Sequence, residues 1–416
     1  MLRLMLKRIA AITFIFFCTS VAWVVLGTTI YYRTSRPADV LRQSVNNTWG
    51  VPQEQKPPTA SYTERVERTD KTTENGKAVE RLIQQDVPVM LPLERSKIDV
   101  DLQLEHRQKG LLWFSIYRVT FRGMYRFHNT AGQDKSVAFN LPYPANQATY
   151  DGLVFTINGV PVTGVNGEGS MSGSKVMAPG ETVDIVLGYR SQGLDRWTYN
   201  FQGQPAHIRD FDLTMTTNFR AIDFPENTLS PLKREETSSG WKLNWNYSSL
   251  VTSYGIAMEM PRRLQPGPLA GQISYFAPVS LFFFFFLMFI ITTVRNIDLH
   301  PMNYFFLATA FFAFHLLLAY LVDHVSVHTS FVICSLVSML LVVTYLRLVV
   351  NIRFAVVEAA GTQFVFLILF SYAFFFQGFT GLAITIGAII TLFVVMQLTS
   401  RVNWEEKFRQ IPRTQS

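Results

Sequence analysis

Cysteine is almost missing from the sequence, with two residues, Cys18 and Cys334, in a chain of 416. Both lie in long apolar stretches, so the polar middle of the chain has no cysteine for a disulfide or for a cysteine-based zinc site. A domain in that region must be stabilised by its apolar core, which a segment of about 180 residues can supply.

Catalytic and nucleotide-binding motifs are missing as well. The chain contains no H-E-x-x-H zinc motif, no G-x-S-x-G nucleophile motif and no G-x-x-x-x-G-K-[ST] phosphate loop. We therefore predict that the protein is not an enzyme and uses no metal or other cofactor. Its net charge of +7 does not indicate a nucleic-acid partner, because part of the surplus lies in short loops between apolar stretches.

Charged residues are scarce in six apolar stretches, each long enough to cross a bilayer as a helix. The first covers residues 10–32, and the other five cover 272–294, 302–322, 329–348, 355–376 and 379–399. The first stretch is longer than the apolar core of a secretory signal peptide and has no clear cleavage site, so we expect a retained anchor rather than a cleaved signal. The lipid bilayer is thus the first predicted partner.

The orientation is predicted from the basic residues in short loops. Arg295, Arg347 and Arg353 lie in or beside the loops on one side of the membrane, together with the basic C-terminal tail, and the loops around 323–328 and 377–378 carry no lysine or arginine. The basic residues before and after the first helix balance each other. This pattern predicts an inner-membrane protein with both termini in the cytoplasm and the middle region in the periplasm.

The middle region has the alternation of apolar and polar residues that is typical of β-strands. Apolar residues occupy every second position in several segments, and these residues are Ile98, Val100, Leu102 and Leu104; Tyr117, Val119, Phe121, Tyr125 and Phe127; Val183, Ile185, Leu187 and Tyr189; Phe211, Leu213 and Met215; and Trp241, Leu243, Trp245 and Tyr247. Gly, Pro and Asn clusters separate the segments, which favours an antiparallel sandwich or a curved sheet.

These patterns predict a polytopic α-helical membrane protein of about six helices, with a large all-β or β-rich periplasmic domain between the first helix and the second. The predicted segments are a cytoplasmic tip with the first helix (1–32), a periplasmic linker (33–78), the β-rich domain (79–271), a five-helix bundle (272–399) and a cytoplasmic tail (400–416). The linker is predicted because residues 53–78 are polar and charged and lack apolar periodicity.

Several short motifs follow one another over most of the chain. They are Val40-Leu41-Arg42-Gln43, Thr48-Trp49-Gly50, Ile98-Asp99-Val100, Lys109-Gly110-Leu111, Ile116-Tyr117, Phe219-Arg220-Ala221, Gly240-Trp241-Lys242-Leu243-Asn244-Trp245, Leu299-His300-Pro301-Met302-Asn303-Tyr304, Val322-Asp323-His324 and Ser400-Arg401-Val402-Asn403-Trp404. Their order resembles that of the CreD-like inner-membrane proteins of bacteria. The chain departs from the family pattern at residues 53–58, where Gln-Glu-Gln-Lys-Pro-Pro stands.

The resemblance implies an integral protein of the Gram-negative envelope that contributes to envelope homeostasis, stress response and colicin tolerance, with no established enzymatic activity. The implied role is non-enzymatic, and the β-rich domain is expected to engage an envelope partner, such as another protein, a lipid or a cell-wall component. The alternative is a transporter of ions or small molecules in the helical bundle, which would need polar residues near the middle of the membrane.

Four polar residues around the third predicted helix form a candidate site: His315, Tyr320, Asp323 and His324. The last three lie close enough in sequence to share a helix face at the outer membrane interface, where they could handle protons, bind a metal or simply end the helix. His315 lies about eight residues inside the span, where an ionisable group usually faces a partner. We expect a neutral imidazole bonded to a neighbouring helix, and Gln363 and Gln397 have a suitable depth.

A second candidate surface is the row of Arg118, Arg122 and Arg126, which alternates with the apolar residues of one predicted strand. Such a row could bind an anionic lipid, lipopolysaccharide or a cell-wall polymer. The alternative is an ordinary solvated sheet face, which we favour.

Overall fold

The computed structural model describes residues 2–74, 77–109, 112–162, 166–167, 169–201, 206–376 and 378–400. The basic tail beyond Ser400 and position 377, both used above for the orientation, lie outside these residues. Contacts divide the chain into a helical unit, which contains the chain up to Val40 and from Leu264 onward, and a β unit, formed by Leu41–Lys109 and Trp113–Arg263.

Six helices in the described chain are long and apolar enough to cross a membrane, which confirms the predicted number. They are α1 (Leu2–Trp49), α2 (Pro266–Val294), α3 (Pro301–Leu321), α4 (Val327–Val349), α5 (Phe354–Phe375) and α6 (Thr380–Thr399). Proline stands at the first position of α2 and of α3, where a helix does not need its missing N–H. Ser326 caps α4 by accepting a hydrogen bond from the backbone N–H of Thr329.

The fifth helix is irregular. It contains two π-helical stretches, Phe354–Ala359 and Phe364–Leu369, separated by the α-helical turn Ala360–Gln363. Its last turn, Ala373–Phe375, is a 3-10 helix. Since π-turns shift the register of a helix, α5 presents its side chains in directions that a regular 3.6-residue period does not predict.

The region between α1 and α2 is rich in β-strands, as predicted. The strands are β1 (Gln53–Gln55), β2 (Thr59–Glu74), β3 (Lys77–Met90), β4 (Leu93–Lys109), β5 (Leu112–His128), β6 (Lys135–Pro142), β7 (Tyr150–Ile157), β8 (Val160–Pro161), β9 (Asn166–Gly167), β10 (Ser170–Met177), β11 (Thr182–Leu194), β12 (Arg196–Tyr199), β13 (Ala206–Thr217), β14 (Lys233–Glu236), β15 (Trp241–Thr252) and β16 (Ile256–Glu259).

Within the described residues these strands form three sheets. The largest has the order β14-β15-β13-β4-β5-β11-β7-β8, the second β3-β2-β6-β10-β9 and the third β1-β12-β16. Most neighbouring strands are antiparallel, but β13 runs parallel to β4 and β1 runs parallel to β12. The β-rich character is confirmed, with some parallel pairing that the sequence pattern did not reveal.

The predicted alternation describes the core of the β unit well. The apolar residues of β5, β11 and β13 are buried in one continuous cluster, and β15 adds Leu243 and Trp245. Gly123 stands on the apolar face of β5 at a position where a larger residue does not fit. A Cβ atom there would lie 2.7 Å from the ring of Tyr125. The glycine therefore leaves space for the neighbouring tyrosine, which is fully buried.

The predicted linker over residues 33–78 is wrong. Helix α1 continues to Trp49, and residues 53–74 form β1 and β2. These segments are held by pairing with other strands, since β2 pairs with β3 from Ser61 to Glu74 and β1 pairs with β12. Gln53 and Gln55 are buried, and both form side-chain hydrogen bonds: Gln53 Nε2 donates to Ser191 Oγ at 2.8 Å, and Gln55 Oε1 accepts from the hydroxyl of Tyr189. Gln53 Oε1 has no partner among the described residues.

Candidate functional site

The polar cluster at the end of α3 is built around an arginine of α1. Arg33 forms an ion pair with Asp323, and its guanidinium lies 4.9 Å from the centre of the Tyr320 ring. The Asp323 side chain is only 15% exposed. The structure thus brings Tyr320 and Asp323 together through Arg33, one of the basic residues that follow the first predicted span. A carboxylate already neutralised by a guanidinium is a poor ligand for a second cation.

The histidines near this cluster have separate environments. The side chain of His324 is exposed, and the ring of His328 lies 5.1 Å from the ring of Phe375. In the described part of the chain, no three His, Cys, Asp or Glu side chains are close enough to hold a metal ion. A role for the cluster in proton or ion handling, or as the interfacial end of a helix, remains a prediction.

His315 is fully buried within α3, with one ring nitrogen bonded inside its own helix. Its Nδ1 lies 2.9 Å from the carbonyl oxygen of Phe311, and since a carbonyl can only accept, Nδ1 carries the proton. The other nitrogen, Nε2, therefore has a free lone pair, and it has no hydrogen-bond partner among the described residues. Among the described residues His315 makes no hydrogen bond to a neighbouring helix, so the expected bond is not found there.

The ring of His315 faces a tryptophan of α1. Their ring centres are 5.8 Å apart and the rings are nearly perpendicular, an arrangement that aromatic rings favour. Trp23 is also fully buried, and its Nε1 likewise has no partner among the described residues. This contact joins α1 to α3 in the interior of the helical unit.

The two glutamines proposed as partners of His315 lie in other environments. Gln363, fully buried in α5, donates through Nε2 to Ser338 Oγ at 2.8 Å. The hydroxyl of Ser338 in turn donates to the carbonyl oxygen of Ala310 at 2.7 Å, so one short chain of bonds connects α5, α4 and α3. Gln397 in α6 is exposed. Polar side chains between apolar helices act here as links between those helices.

The sequence interpretation missed one buried carboxylate. Glu358 lies in the first π-helical stretch of α5, its side chain is 8% exposed, and its Oε1 is 2.5 Å from Arg295 Nη1 at the end of α2. The signal was visible in the sequence, since Glu358 is the one acidic residue in the six predicted spans. A carboxylate within an apolar span is itself a sign of a partner.

The arginine row on β5 is partly compensated by acidic residues. Arg126 makes two hydrogen bonds to Asp184 on β11, of 2.7 and 2.9 Å, and Arg118 lies 3.8 Å from Glu105 on β4. The hydrogen bond from Arg126 holds the pKa of the Asp184 carboxyl below its usual value. Arg122 has no ion pair among the described residues. The row is therefore part of a mixed-charge face, and its binding of an anionic partner remains a prediction.

Comparisons with known proteins find a family similarity in the C-terminal helices. The family model described as "Inner membrane protein CreD" matches residues 272–405, about a third of the chain, and confirms the predicted CreD resemblance. No curated protein matches the chain. A solved structure of a putative nutrient binding protein from Legionella pneumophila is similar with 12% identity and a TM-score of 0.33, covering 56% of this chain and 76% of that one.

Proposed function

We propose that this membrane protein of the CreD family contributes to the integrity of the bacterial cell envelope without catalysing a reaction. The observation that carries the proposal is the family match of the helical bundle. The chain joins that bundle to a β unit with its own continuous core, large enough to fold and to offer a binding surface. We propose that the β unit lies in the periplasm and engages an envelope partner there, and that both termini are cytoplasmic.

Removal of the β unit tests the role of this unit. In a deletion strain challenged with detergent or colicin, a chain lacking residues 53–259, with a flexible linker in their place, should fail to restore resistance. The full chain should restore it. A control variant with a substituted exposed residue of the β unit, Asp134→Asn, should act like the full chain. If the helices alone restored resistance, the proposed role of the β unit would be wrong.

The proposed orientation has its own test. Single cysteines are introduced after replacement of Cys18 and Cys334 by serine, one in the loop between α2 and α3 and one in the loop between α3 and α4. In intact cells with a permeabilised outer membrane, a membrane-impermeant thiol reagent should label Ser326→Cys and not Asn296→Cys. Labelling of Asn296→Cys alone would reverse the proposed topology.

A transporter of ions or small molecules is the second candidate function. The observation that favours it is a set of buried polar atoms within the spans without partners among the described residues: His315 Nε2, Gln363 Oε1 and Glu358 Oε2. A pathway would use such groups near the middle of the membrane. If the variants His315→Ala and Glu358→Gln keep the envelope phenotype of the full chain while remaining folded, transport through these groups is not the function.

A further inference from the structure

Strands β2 and β3 extend beyond the sheet to which they belong. β2 pairs with β6 only from Thr59 to Ser61 and continues to its end alongside β3. Among the described residues no third strand pairs with this two-stranded segment, which we call the hairpin arm (residues 62–74 and 77–89). At about 3.4 Å per residue the arm is roughly 40 Å long. Because a hairpin of two strands alone is only marginally stable in water, an arm of this length is suited to a partner that covers it.

One face of the hairpin arm carries exposed apolar side chains and one charge of each sign. Residues that lie directly opposite each other in an antiparallel pair share a face. Three successive opposite pairs form this face, and they are Glu64 with Val87, Val66 with Gln85, and Arg68 with Ile83. The apolar members are all exposed, with Val66 at 45%, Val87 at 37% and Ile83 at 43%. We call these six residues the arm face.

The charges of the arm face are not paired with each other. Glu64 and Arg68 lie four residues apart on β2, about 13 Å, and Arg68 has no ion pair among the described residues. Glu64 has one distant contact, 3.8 Å from Lys135 Nζ. The opposite face of the arm differs, because there Arg65 Nε lies 3.3 Å from Asp86 Oδ1 on the neighbouring strand. The arm face therefore offers an acid and a base to a second molecule.

The pattern of the arm face is self-complementary. Two arms can stack face to face about a two-fold axis that runs across the strands at Val66, with β2 of one copy antiparallel to β2 of the other. This axis places Glu64 of each copy opposite Arg68 of the other, so that two ion pairs form. It also places Val87 opposite Ile83, twice, and Val66 opposite its own copy. Every residue of the arm face then meets a residue of matching chemistry.

We propose that the arm face binds the arm face of a second copy of this chain. The contact is held by two ion pairs between Glu64 and Arg68 and by the apolar side chains beside them. Six residues a side are few compared with the roughly 20–30 of a stable interface in solution. The pairing therefore operates between copies in the same membrane, where confinement raises their effective concentration. It does not depend on the proposed role in envelope integrity.

The first experiment tests which face of the arm meets the second copy. Cys18 and Cys334 are replaced by serine, and Val66→Cys or Glu67→Cys is introduced into the full chain. Membranes that contain each variant are treated with a short bismaleimide crosslinker, and gel electrophoresis measures the dimer fraction. Val66→Cys lies on the proposed axis and should give a crosslinked dimer. Glu67→Cys, the exposed neighbour on the opposite face, should give little.

Two outcomes of this first experiment would overturn the proposal. One is an equal dimer fraction in the two variants, which would mean random collision. The other is crosslinking of Val66→Cys to a different protein without a dimer, which would assign the arm face to another partner.

The second experiment tests the charge pairing, with Val66→Cys kept as the reporter. Glu64→Arg or Arg68→Glu places like charges opposite each other at both ends of the contact. Each variant should lower the dimerisation affinity by roughly fivefold or more, since two exposed ion pairs are replaced by two repulsions. Glu67→Arg makes the same change of charge on the opposite face and should leave the dimer fraction unchanged.

The charges can also be restored between two chains. The double variant Glu64→Arg/Arg68→Glu should recover the dimer, although the contact of Glu64 with Lys135 is lost. Coexpression of the Glu64→Arg chain with the Arg68→Glu chain should recover it as well, because each copy then supplies the charge that the other needs. Failure of both recoveries would show that Glu64 and Arg68 act within one chain, and the proposed pairing would be wrong.

Discussion

Large apolar side chains form the core of the β unit, whereas in the helical unit many of them lie on the surface. In the β unit a continuous set of them points inward, as Phe121, Leu213 and Trp245 do, and apart from the arm face only scattered apolar side chains such as Val176 are exposed. In the helical unit many of the largest apolar side chains point outward, with Leu348 80% exposed and Leu336 64% exposed. The exposed leucines are suited to lipid, so in this unit the rare polar residues, and not the apolar ones, mark the contacts between helices.

This difference predicts which substitutions each unit tolerates. The β unit should be sensitive to the loss of large apolar side chains, because each leaves a cavity in a closely packed core. The helical unit should be sensitive to the loss of its few polar links and tolerant of changes on its lipid-facing side.

The largest effect is expected for Trp245→Ala in β15. The side chain is fully buried, and its Nε1 donates to the carbonyl oxygen of Leu229 at 2.9 Å. Its removal should lower the free energy of unfolding of the β unit by about 3–5 kcal/mol. Pulse proteolysis of the full chain in detergent, at increasing urea, measures this loss from the disappearance of the protected β fragment.

The matched comparison for Trp245→Ala is Leu348→Ala on the exposed side of α4. Since this leucine loses little protein contact, its replacement should change the stability of the bundle by less than about 0.5 kcal/mol. If Trp245→Ala and Leu348→Ala lowered the stability of their units by similar amounts, the two units would not differ in their dependence on large apolar side chains.

The next effect concerns the ion pair of Glu358 and Arg295. Its two members are not equally buried, with side-chain exposures of 8% and 53%. Arg295→Gln should therefore cost more than Glu358→Gln, since it leaves a buried carboxylate without its counter-ion, whereas the freed arginine can reach water. We expect about 2 kcal/mol for the first variant and about 1 kcal/mol for the second, below the values for fully buried pairs because Arg295 is half exposed.

Thermal denaturation of the purified protein, followed by the fraction that remains monodisperse in detergent, ranks the two variants. Arg347→Gln is the control, because it removes the same charge from the exposed end of α4. If Arg347→Gln and Arg295→Gln were equally destabilising, the buried carboxylate would not be the cause.

The sequence could predict the strand faces of the β unit because a period of two places every second side chain on the core side. It could predict the six spans because length and apolar composition decide them. It could not predict the contact of Arg33 with Asp323 or that of His315 with Trp23, since nearly uniform apolar helices give no sign of which faces meet. The strands over residues 53–74 were missed because hydrogen bonds to other strands, rather than an apolar pattern, hold them.

A smaller effect is expected where a single hydroxyl links the helices. Ser338 accepts from Gln363 and donates to Ala310, so Ser338→Ala removes two bonds between helices. We expect a loss of about 0.6–1.7 kcal/mol, which lies between the average and the largest value for such bonds between membrane helices. Ser335→Ala, one turn away, should have almost no effect, because Ser335 Oγ donates to Phe331 of its own helix. If Ser338→Ala and Ser335→Ala lowered the stability equally in the thermal assay, bonds between helices would contribute no more than bonds within one helix.

The smallest effect is expected on the solvated face of the β unit, at the pair of Asp184 and Arg126. Both side chains are about 40% exposed, so Asp184→Asn should cost no more than about 1 kcal/mol near neutral pH. Since the folded pKa of Asp184 lies below its usual value, this contribution is present above the unfolded pKa of about 3.9 and is lost as the pH falls through the folded pKa. Urea unfolding measures the free energy of unfolding of Asp184→Asn and of the unmodified chain, and the difference between the two should be smaller at pH 3 than at pH 7. The control Asp134→Asn, at an exposed position, should differ little from the unmodified chain at either pH. A pH-independent loss in Asp184→Asn would mean that packing of the side chain, and not its charge, stabilises this face.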